Sequence, residues 1–329
     1  MLDPTHTPKP PRTEQFGGII AINGQPHLRP CDRIEPEALA DSDFFQSIAN
    51  RYEPLTHPLP LAGAAMMSEP ADGELRLIAR LRAEAPWLAP AINTIERQLR
   101  VQLWAGRPWV AWRPLCLVGP PGTGKSHLAR LIGSATSAGC RTLDLGGVSD
   151  SRALEGTARG WSNTQPCWPA VAMAQTRTAN PVLVLEEVDK AGGSAQGGVP
   201  HATLLTMLER DTARRYWDKC LLAEVDLSHC CWILTANDAS LLPPMLRSRL
   251  DIVRIDGPQP EDFDAVLGAL VTATAAEWGV PQSSLPTMPE EAVAVLRNAF
   301  GRTRSVRTRR RHLERVLGML IASAQRDTH

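Results

Sequence analysis

The 329-residue sequence lacks a net charge, because 35 lysines and arginines balance 35 aspartates and glutamates. Without an overall field that favours nucleic acid or an acidic surface, the class of partner has to be inferred from local features. The sequence also lacks any apolar run near the ~18 residues of a membrane-spanning helix, so we expect no membrane association. Residues 1–14 are polar and proline-rich, without the apolar stretch of a secretion signal, which predicts a cytoplasmic protein.

Paired cysteines are absent and lysine is scarce. None of the seven cysteines belongs to a Cys-x-x-Cys pair, so neither a disulfide framework nor a zinc site is indicated, and we expect free, mostly buried thiols. Four lysines occur against 31 arginines, which makes Lys125 conspicuous inside a glycine-rich segment. The 43% of hydrophobic side chains is enough to bury a core in a chain of this length.

The N-terminal part of the chain is rich in proline, with ten prolines in residues 1–60. We predict that residues 1–73 form a partly disordered arm with little core of its own. Residues 74–112 place apolar side chains at helical spacing, interrupted at Pro86 and Pro90. This pattern predicts helices that lead into the next region.

The middle of the chain alternates between short apolar runs and helical stretches. Continuous apolar runs are typical of parallel strands buried on both faces. The runs are 115–118, 182–185 and 231–234, and the helical stretches between them include 126–137 and 203–209. The alternation predicts an α/β sandwich with a parallel sheet over residues 113–257. Helical spacing alone continues after Pro258, so we predict a small helical lid over 258–329.

The segment that begins at Gly119 reads Gly-Pro-Pro-Gly-Thr-Gly-Lys-Ser and matches the phosphate-binding pattern G-x-x-x-x-G-K-[ST]. Glycines let backbone N–H groups turn toward phosphate oxygens, and the following helix adds its dipole. Lys125 would reach the β- and γ-phosphates, and Ser126 would ligate Mg²⁺. We therefore predict ATP and Mg²⁺ as cofactors, and prefer this to a simple glycine turn before a helix. The predicted nucleotide contacts are Gly119, Pro120, Pro121, Gly122, Thr123, Gly124, Lys125, Ser126 and His127.

A second motif, which is acidic, directly follows the apolar run 182–185 and consists of Glu186 and Glu187. Ligands of open α/β sheets bind where parallel strands end, which is where these two carboxylates are expected. Glu186 would organise the metal ion, and Glu187 would orient and polarise the attacking water. Acidic residues often cap strands for no catalytic reason, but a strand of this form downstream of a phosphate-binding loop favours a nucleotide site.

From Gly119 to about Gly257 the sequence resembles the AAA+ ATPase module of Lon proteases. The segments that carry this resemblance are 144–150 (Asp-Leu-Gly-Gly-Val-Ser-Asp), 180–190 around the two glutamates, 225–228 (Val-Asp-Leu-Ser) and 234–237 (Leu-Thr-Ala-Asn). The resemblance implies a P-loop AAA+ fold with a helical lid and ATP hydrolysis. It also implies a homo-oligomeric ring, by analogy a hexamer, that acts on a protein partner.

The resemblance also implies roles for three residues outside the two motifs. Asn237 resembles the sensor-1 residue that positions water, although an Asn after a strand is otherwise an ordinary turn residue. Arg249, with Arg247 beside it, resembles the arginine finger that serves the adjacent subunit's ATP; a surface ion pair is the alternative. Trp161 resembles the aromatic of a substrate pore loop, where it would grip extended polypeptide; a core position is the alternative. We expect Trp168, which lies between prolines, to be a packing residue.

The lid arginines leave two questions open. Arg307 and Arg311 both fit the sensor-2 residue that contacts the nucleotide, and they share a helix face because they are four residues apart. The arginine-rich stretch 302–315 also permits an unrelated surface for nucleic acid. Its interleaving with apolar residues of a lid helix favours the local interpretation.

Two departures from the family affect the expected activity. Lon proteases usually have Asp where this chain has Glu186, and the added methylene shifts the carboxylate by about an ångström, which would slow hydrolysis. No counterpart of their Ser-Lys peptidase domain follows the lid, so we expect no peptidase activity. Three hypotheses follow: an ATP-driven protein remodeller, an ATP-dependent assembly switch with weak hydrolysis, and a nucleic-acid-associated motor.

Overall fold

A computed structural model describes residues 18–34, 43–68, 73–148, 150–161, 163–192, 198–303 and 305–326. Its strands are β1 (Ile19–Ile22), β2 (Gln25–Leu28), β3 (Leu59–Pro60), β4 (Leu115–Val118), β5 (Cys140–Asp144), β6 (Val182–Glu186), β7 (Tyr216–Asp218), β8 (Ala223–Val225), β9 (Cys231–Ala236) and β10 (Asp251–Arg254). Its helices are α1 (Asp43–Tyr52), α2 (Arg76–Glu84), α3 (Ala89–Trp104), α4 (Lys125–Thr136), α5 (Arg152–Glu155), α6 (Trp168–Thr176), α7 (Pro200–Leu208), α8 (Arg210–Ala213), α9 (Pro244–Arg247), α10 (Phe263–Trp278), α11 (Glu290–Gly301) and α12 (Val306–Arg326).

The central layer is a five-stranded parallel sheet in the order β10-β4-β9-β6-β5. The three predicted apolar runs are its three middle strands, β4, β9 and β6, and the α/β fold that they predicted is confirmed. The register places Leu115 of β4 between Asp251 of β10 and Ile233 of β9. All strands point the same way, so their carboxyl ends share one edge of the sheet.

Successive side chains of the middle strands enter two separate cores, because side chains alternate between the faces of a strand. Leu115 and Leu117 belong to the core that includes α2, α3, α4 and the lid. Cys116 and Val118 belong to the core that includes α6, α7 and the N-terminal segment. Helices therefore cover both faces, which explains why these strands are apolar throughout. Trp168 packs against the second core beside Trp232, as expected for a packing residue.

The N-terminal segment contributes more buried residues to this second core than its proline-rich sequence predicted. Strands β1, β2 and β3 form an antiparallel sheet, and Leu55 and Leu59 are buried in the core. The side chain of Asn180, fully buried before β6, accepts from the Ala62 N–H at 2.7 Å and donates to the carbonyls of Ala62 and Val110. The prediction of a partly disordered arm also covers residues 1–17, 35–42 and 69–72. These residues lie outside the described part of the chain.

The lid consists of α10, α11 and α12. Phe263 and Phe300 meet edge to face at 5.2 Å between ring centroids. Arg309 is buried over the ring of Phe300 and donates to the carbonyls of Pro258, Phe300 and Thr303. Arg310 pairs with Glu277 and Glu314. These two arginines are thus engaged inside the lid, which weakens the interpretation of 302–315 as a nucleic-acid surface.

Two smaller expectations agree with the fold. All seven cysteines are free, and six of them are buried. Among the described helices, we find none whose length and apolar character would let it span a membrane.

Candidate functional site

The predicted motifs meet in a cleft of about 330 Å³ between the carboxyl edge of the sheet and the lid. Most of its polar lining comes from the loops that follow β4, β6 and β9 and from the first turns of α4 and α12. The charged and polar side chains that line it are Lys125, Ser126, His127, Arg130, Glu186, Glu187, Thr235, Asn237, Arg307 and Arg310. The described residues Arg311, Arg249 and Trp161 do not line it.

The loop between β4 and α4 is shaped by its glycines. Gly122 and Gly124 have positive φ angles of 79° and 99°, which other residues rarely adopt. A Cβ atom at Gly119 would collide with the carbonyl oxygen of Ile255. The helix α4 begins at Lys125, directly after Gly124, and Gly124, Lys125 and Ser126 all line the cleft. The loop has the open backbone that a phosphate cradle requires.

Lys125 is buried at the base of this loop. Its Nζ donates to the carbonyls of Gly119 and Pro120 at 2.7 and 2.8 Å. Burial lowers the pKa of Lys125 below its usual value, and the negative charge of Asp189 opposes that shift most strongly. A lysine held this way carries its charge at the point where a phosphate oxygen would approach.

The ring of Trp87, which lies in the turn before α3, contacts the same loop and the ring of His127 in α4. The indole Nε1 of Trp87 donates to the carbonyl of Thr123 at 3.1 Å. The ring of Trp87 lies parallel to that of His127, with 6.3 Å between centroids and 5° between planes. Burial, and secondarily Arg130, lowers the pKa of His127, which favours the neutral ring. The sequence analysis missed Trp87, since nothing near it in the chain points to a loop 36 residues away.

The predicted metal ligand Glu186 and the predicted catalytic residue Glu187 stand at the end of β6. Glu186 is the last residue of the strand and lies opposite Asp144 of β5. Glu187 follows in the left-handed region at φ 54°, a strained conformation for a residue with a side chain. Its Oε1 lies 2.9 Å from the Nζ of Lys190. The turn therefore directs successive carboxylates differently, which suits one to a metal ion and the other to a water molecule.

Asn237 follows β9 directly, and a carboxylate fixes its backbone. The Oδ2 atom of Asp189 accepts from the backbone N–H groups of Asn237 and Asp238 at 2.9 and 3.1 Å. Asp189 lies in the short turn that follows Glu187. It thus joins the end of β6 to the end of β9, a connection that the sequence analysis did not anticipate although the acidic motif contains this residue.

The start of α12 separates the two candidate lid arginines. The backbone N–H of Val306 donates to the carbonyl of Gly122 at 2.7 Å, which seats the first turn of the helix on the phosphate-binding loop. Arg307, one residue later, lines the cleft. Arg311, one turn further, is exposed and lies outside the lining. The geometry favours Arg307 as the residue that contacts a nucleotide.

Arg249 and Trp161 lie elsewhere on the molecule. Arg249 is near the amino edge of the sheet, where its Nε is 3.1 Å from the Oε2 of Glu209 and a guanidinium N–H donates to the carbonyl of Met245. Trp161 lies on a loop closed by the bridge between Thr157 and Gln165, and 66% of its surface is exposed. Neither residue serves this chain's own cleft, so any role in catalysis or substrate handling requires another molecule.

Comparison with known proteins places the cleft in a family context. Residues 115–256 match the model of the ATPase family associated with various cellular activities (AAA). Lon protease of Campylobacter concisus is 31% identical over 204 residues, which cover 62% of this chain and 25% of that protein. Lon protease 4 of Sorangium cellulosum is 32% identical over 203 residues, which cover 61% and 25%. The mitochondrial Lon protease homolog of Candida glabrata is 28% identical over 202 residues, which cover 61% and 20%. The chain thus spans a quarter or less of these relatives' length.

Among solved structures, the fold is similar to a chain of the Saccharomyces cerevisiae Hsp104:casein complex in its extended conformation. The TM-score is 0.56 and the identity 17%, over 73% of this chain and 45% of that chain. At this identity the likeness concerns the fold alone.

Proposed function

We propose that this chain, whose residues 115–256 form an AAA ATPase domain resembling that of Lon proteases, binds ATP with Mg²⁺ and hydrolyses it to remodel or thread a protein partner. One observation carries the proposal. Residues of the phosphate-binding loop, Glu186 and Glu187 at the end of β6, Asn237 and the lid residue Arg307 all line a single cleft. These groups come from distant parts of the chain and match the needs of one reaction.

The residues of the cleft fit the two ligands. The positive-φ glycines turn the backbone tightly at the start of α4, where helix N–H groups can meet a polyphosphate, and Lys125 supplies a matching positive charge. Ser126 and Glu186 offer hydroxyl and carboxylate oxygens, the ligand type that Mg²⁺ prefers. When bound, Mg²⁺ would neutralise charge on the phosphate oxygens.

Glu187 and Asn237 are the groups proposed to act on water. Glu187 would accept a hydrogen bond from the water and make it more nucleophilic, and Asn237 would hold it in line. Arg307 would offset the negative charge that develops on the phosphate oxygens. The ion pair of Glu187 with Lys190 would have to loosen for Glu187 to reach that position.

The finer parts of the proposal concern assembly and substrate. Because Arg249 is remote from its own cleft, we propose that it acts on the nucleotide of an adjacent copy in a homo-oligomeric ring, by analogy a hexamer. We propose that the exposed Trp161 contacts an extended polypeptide at the axis of that ring. A cytoplasmic location and the absence of peptidase activity stay predictions.

A second candidate function is an ATP-dependent assembly switch that turns over slowly. Glu186 favours it, because a glutamate in place of the usual aspartate would displace the metal-binding oxygens by about an ångström. Tight ATP binding with turnover near zero would support the switch over the remodeller.

The test compares four proteins for ATP affinity, ATP turnover, particle size and the unfolding rate of a destabilised fluorescent protein. Glu187→Gln should keep ATP affinity but lose turnover about 100-fold or more, because the water is no longer activated. Trp161→Ala should keep turnover and size but lose substrate unfolding about tenfold. Trp104→Ala is the matched control, since Trp104 is 77% exposed on α3 and is assigned no role. Unfolding that survives Trp161→Ala, or turnover that survives Glu187→Gln, would contradict the proposal.

A further inference from the structure

A small cavity of about 20 Å³ lies inside the lid, between α10, α11 and α12. We call it the lid cavity. Its lining consists of seven apolar side chains, Phe263 and Phe300 among them, and of two polar ones, Arg309 and His312. Within the described residues, Leu270 is the only lining residue that it shares with the nucleotide cleft. A cavity of this size has room for one group as large as a water molecule.

The guanidinium of Arg309 has N–H groups without acceptors in the wall of this cavity. Only 5% of the residue is exposed. One nitrogen, Nη2, donates to the carbonyls of Pro258, Phe300 and Thr303 at 3.2, 3.1 and 2.6 Å. The other two nitrogens, Nε and Nη1, are buried and have no hydrogen-bond partner in the described part of the chain. Because buried N–H groups are nearly always paired, these two point to an acceptor from outside the chain.

The positive charge of Arg309 also has no carboxylate partner among the described residues. Burial lowers the pKa of Arg309 to about 10, although the negative charge of Asp262 opposes the shift, so the guanidinium stays charged at neutral pH. By contrast, the adjacent Arg310 pairs with both Glu277 and Glu314. A buried charge is unfavourable unless it is paired, and the group that pairs with a guanidinium is an anion.

His312 supplies a further polar atom to the same cavity. It follows Arg309 by three residues, so the two side chains lie on neighbouring parts of one face of α12. The Nδ1 atom of His312 is buried, and no hydrogen bond joins it to another described residue. This nitrogen can carry a hydrogen and donate it. The lid cavity is thus lined by three nitrogen atoms that can donate and, within the described chain, by no carboxylate.

We propose that the lid cavity binds a small monovalent anion of about the size of chloride, which accepts hydrogen bonds from Arg309 and His312. An anion satisfies the free N–H groups and neutralises the guanidinium at the same time. A water molecule would have to direct its own hydrogens into a largely apolar wall, where His312 Nδ1 is the one available acceptor in the described lining. The volume is too small for a phosphate or a carboxylate ligand.

The bound ion would hold the three lid helices together. Arg309 and His312 belong to α12, and the rest of the lining comes largely from α10 and α11. Arg307, which lines the nucleotide cleft, precedes Arg309 by two residues on the same helix. The anion therefore stabilises the element that carries Arg307, and its binding does not depend on the proposed ATPase activity.

The first experiment replaces sodium gluconate with sodium chloride at constant ionic strength and follows thermal unfolding of the full chain without nucleotide. An ion that binds only the folded lid stabilises it by mass action, so the midpoint should rise by about 3 °C and level off near about 0.2 M chloride. Amide hydrogen exchange locates the effect: α10–α12 should exchange about threefold more slowly in chloride, and the parallel sheet at an unchanged rate. A midpoint that is independent of chloride would overturn the inference.

Two arginine variants separate this site from other cationic surfaces. Arg309→Met removes the charge and the donors, and the response to chloride should disappear. Arg297→Met is the matched control, because Arg297 also lies over a lid phenylalanine, Phe263, at 4.1 Å, but is exposed and pairs with Asp264. It should keep the full response. His312→Leu should weaken chloride affinity about threefold and provides the test if Arg309→Met does not fold. Equal chloride responses in the two arginine variants, or an unchanged affinity in His312→Leu, would contradict the site.

Bromide identifies the ligand and its position. Crystals of the full chain soaked in sodium bromide should give an anomalous peak beside Arg309 and His312 that is missing from Arg309→Met crystals. Density without an anomalous signal would assign the cavity to water and overturn the proposal. A bromide peak without any chloride response in solution would mark an adventitious ion only, and it would overturn the proposal as well.

Discussion

The nucleotide cleft and a second cleft of about 740 Å³ at the amino edge of the sheet, which we call the basic cleft, are both lined by more cations than carboxylates. The nucleotide cleft has four cations against two carboxylates, and the basic cleft has five, Arg97, Arg107, Arg113, Arg210 and Arg249, against two. The nucleotide cleft mixes Lys125 and Arg307 with Glu186 and Glu187, so it contains carboxylates that can hold a cation beside a phosphate. In the basic cleft both carboxylates, Glu209 and Asp251, engage other side chains, and in the nucleotide cleft Glu187 does so as well. Within the described residues, the side chain of Glu186 has no such hydrogen bond or ion pair. The cleft that contains Glu186 is therefore the one for which we propose a metal-bound triphosphate.

The largest expected effect is a loss of ATP affinity at the nucleotide cleft. Lys125→Ala should reduce ATP affinity about 100-fold, roughly 3 kcal/mol, because it removes a buried positive charge from the phosphate-binding loop. Calorimetric titration with ATP and Mg²⁺ measures the change. Lys219→Ala provides the control, since Lys219 is exposed, pairs with Glu155 and lies outside the nucleotide cleft. Equal affinity in the Lys125→Ala and unaltered chains would remove the lysine from the site.

His229, which lines the basic cleft, should make the free energy of unfolding depend on pH. Burial lowers the pKa of His229 from 6.5 to about 4, and Arg210, Arg214 and Arg107 contribute to the shift. Because the folded pKa is the lower one, the unfolded chain binds the proton first as pH falls below 6.5. Stability is therefore complete above pH 6.5 and is lost progressively down to about pH 4, by about 3 kcal/mol.

Urea denaturation between pH 7.5 and 4.5 measures this loss. His229→Gln should flatten the dependence, since the ring that titrates is gone. His57→Gln serves as the control because His57 is exposed and distant in the fold, and it should leave the dependence unchanged. An unaltered slope in His229→Gln would assign the acid sensitivity to other groups.

A somewhat smaller effect concerns the connection between the ends of β6 and β9. Asp189→Ala leaves the N–H groups of Asn237 and Asp238 without their acceptor, which costs about 2 kcal/mol and lets Asn237 move. We expect kcat for ATP to fall about 30-fold with KM nearly unchanged, because the contact orients Asn237 and does not bind ATP. Asp189→Asn, which keeps an acceptor oxygen, should recover most of the rate. A rise in KM without a change in kcat would contradict this role.

The strands of the sheet show how far the sequence predicts the fold. The three middle strands were predicted because helices cover both their faces, which leaves runs of buried residues in the sequence. The edge strands β5 and β10 were missed. They pair on one side only, and every position of Cys-Arg-Thr-Leu-Asp and Asp-Ile-Val-Arg is at least partly exposed, so neither sequence is a continuous apolar run.

The candidate site divides in a similar way. The phosphate-binding loop and the acidic motif are local in sequence, and most of their predicted residues line one cleft; Gly119, Pro120 and Thr123 of the loop are not among its lining residues. The supporting contacts of Trp87 and Asp189, by contrast, join segments that the chain separates by 36 and 48 residues. Such contacts depend on tertiary packing, and single-residue patterns contain no signal for them.

The smallest predicted effect tests one of these contacts. Trp87→Phe keeps an aromatic ring beside His127 but removes the indole N–H that donates to the carbonyl of Thr123. The loss of this hydrogen bond should destabilise the loop by about 1 kcal/mol, and ATP affinity should fall about fivefold. Trp104→Phe is the matched control, because Trp104 is exposed at the end of α3 and outside both clefts. If Trp87→Phe binds ATP as tightly as the control, the brace supports the fold and not the phosphate loop.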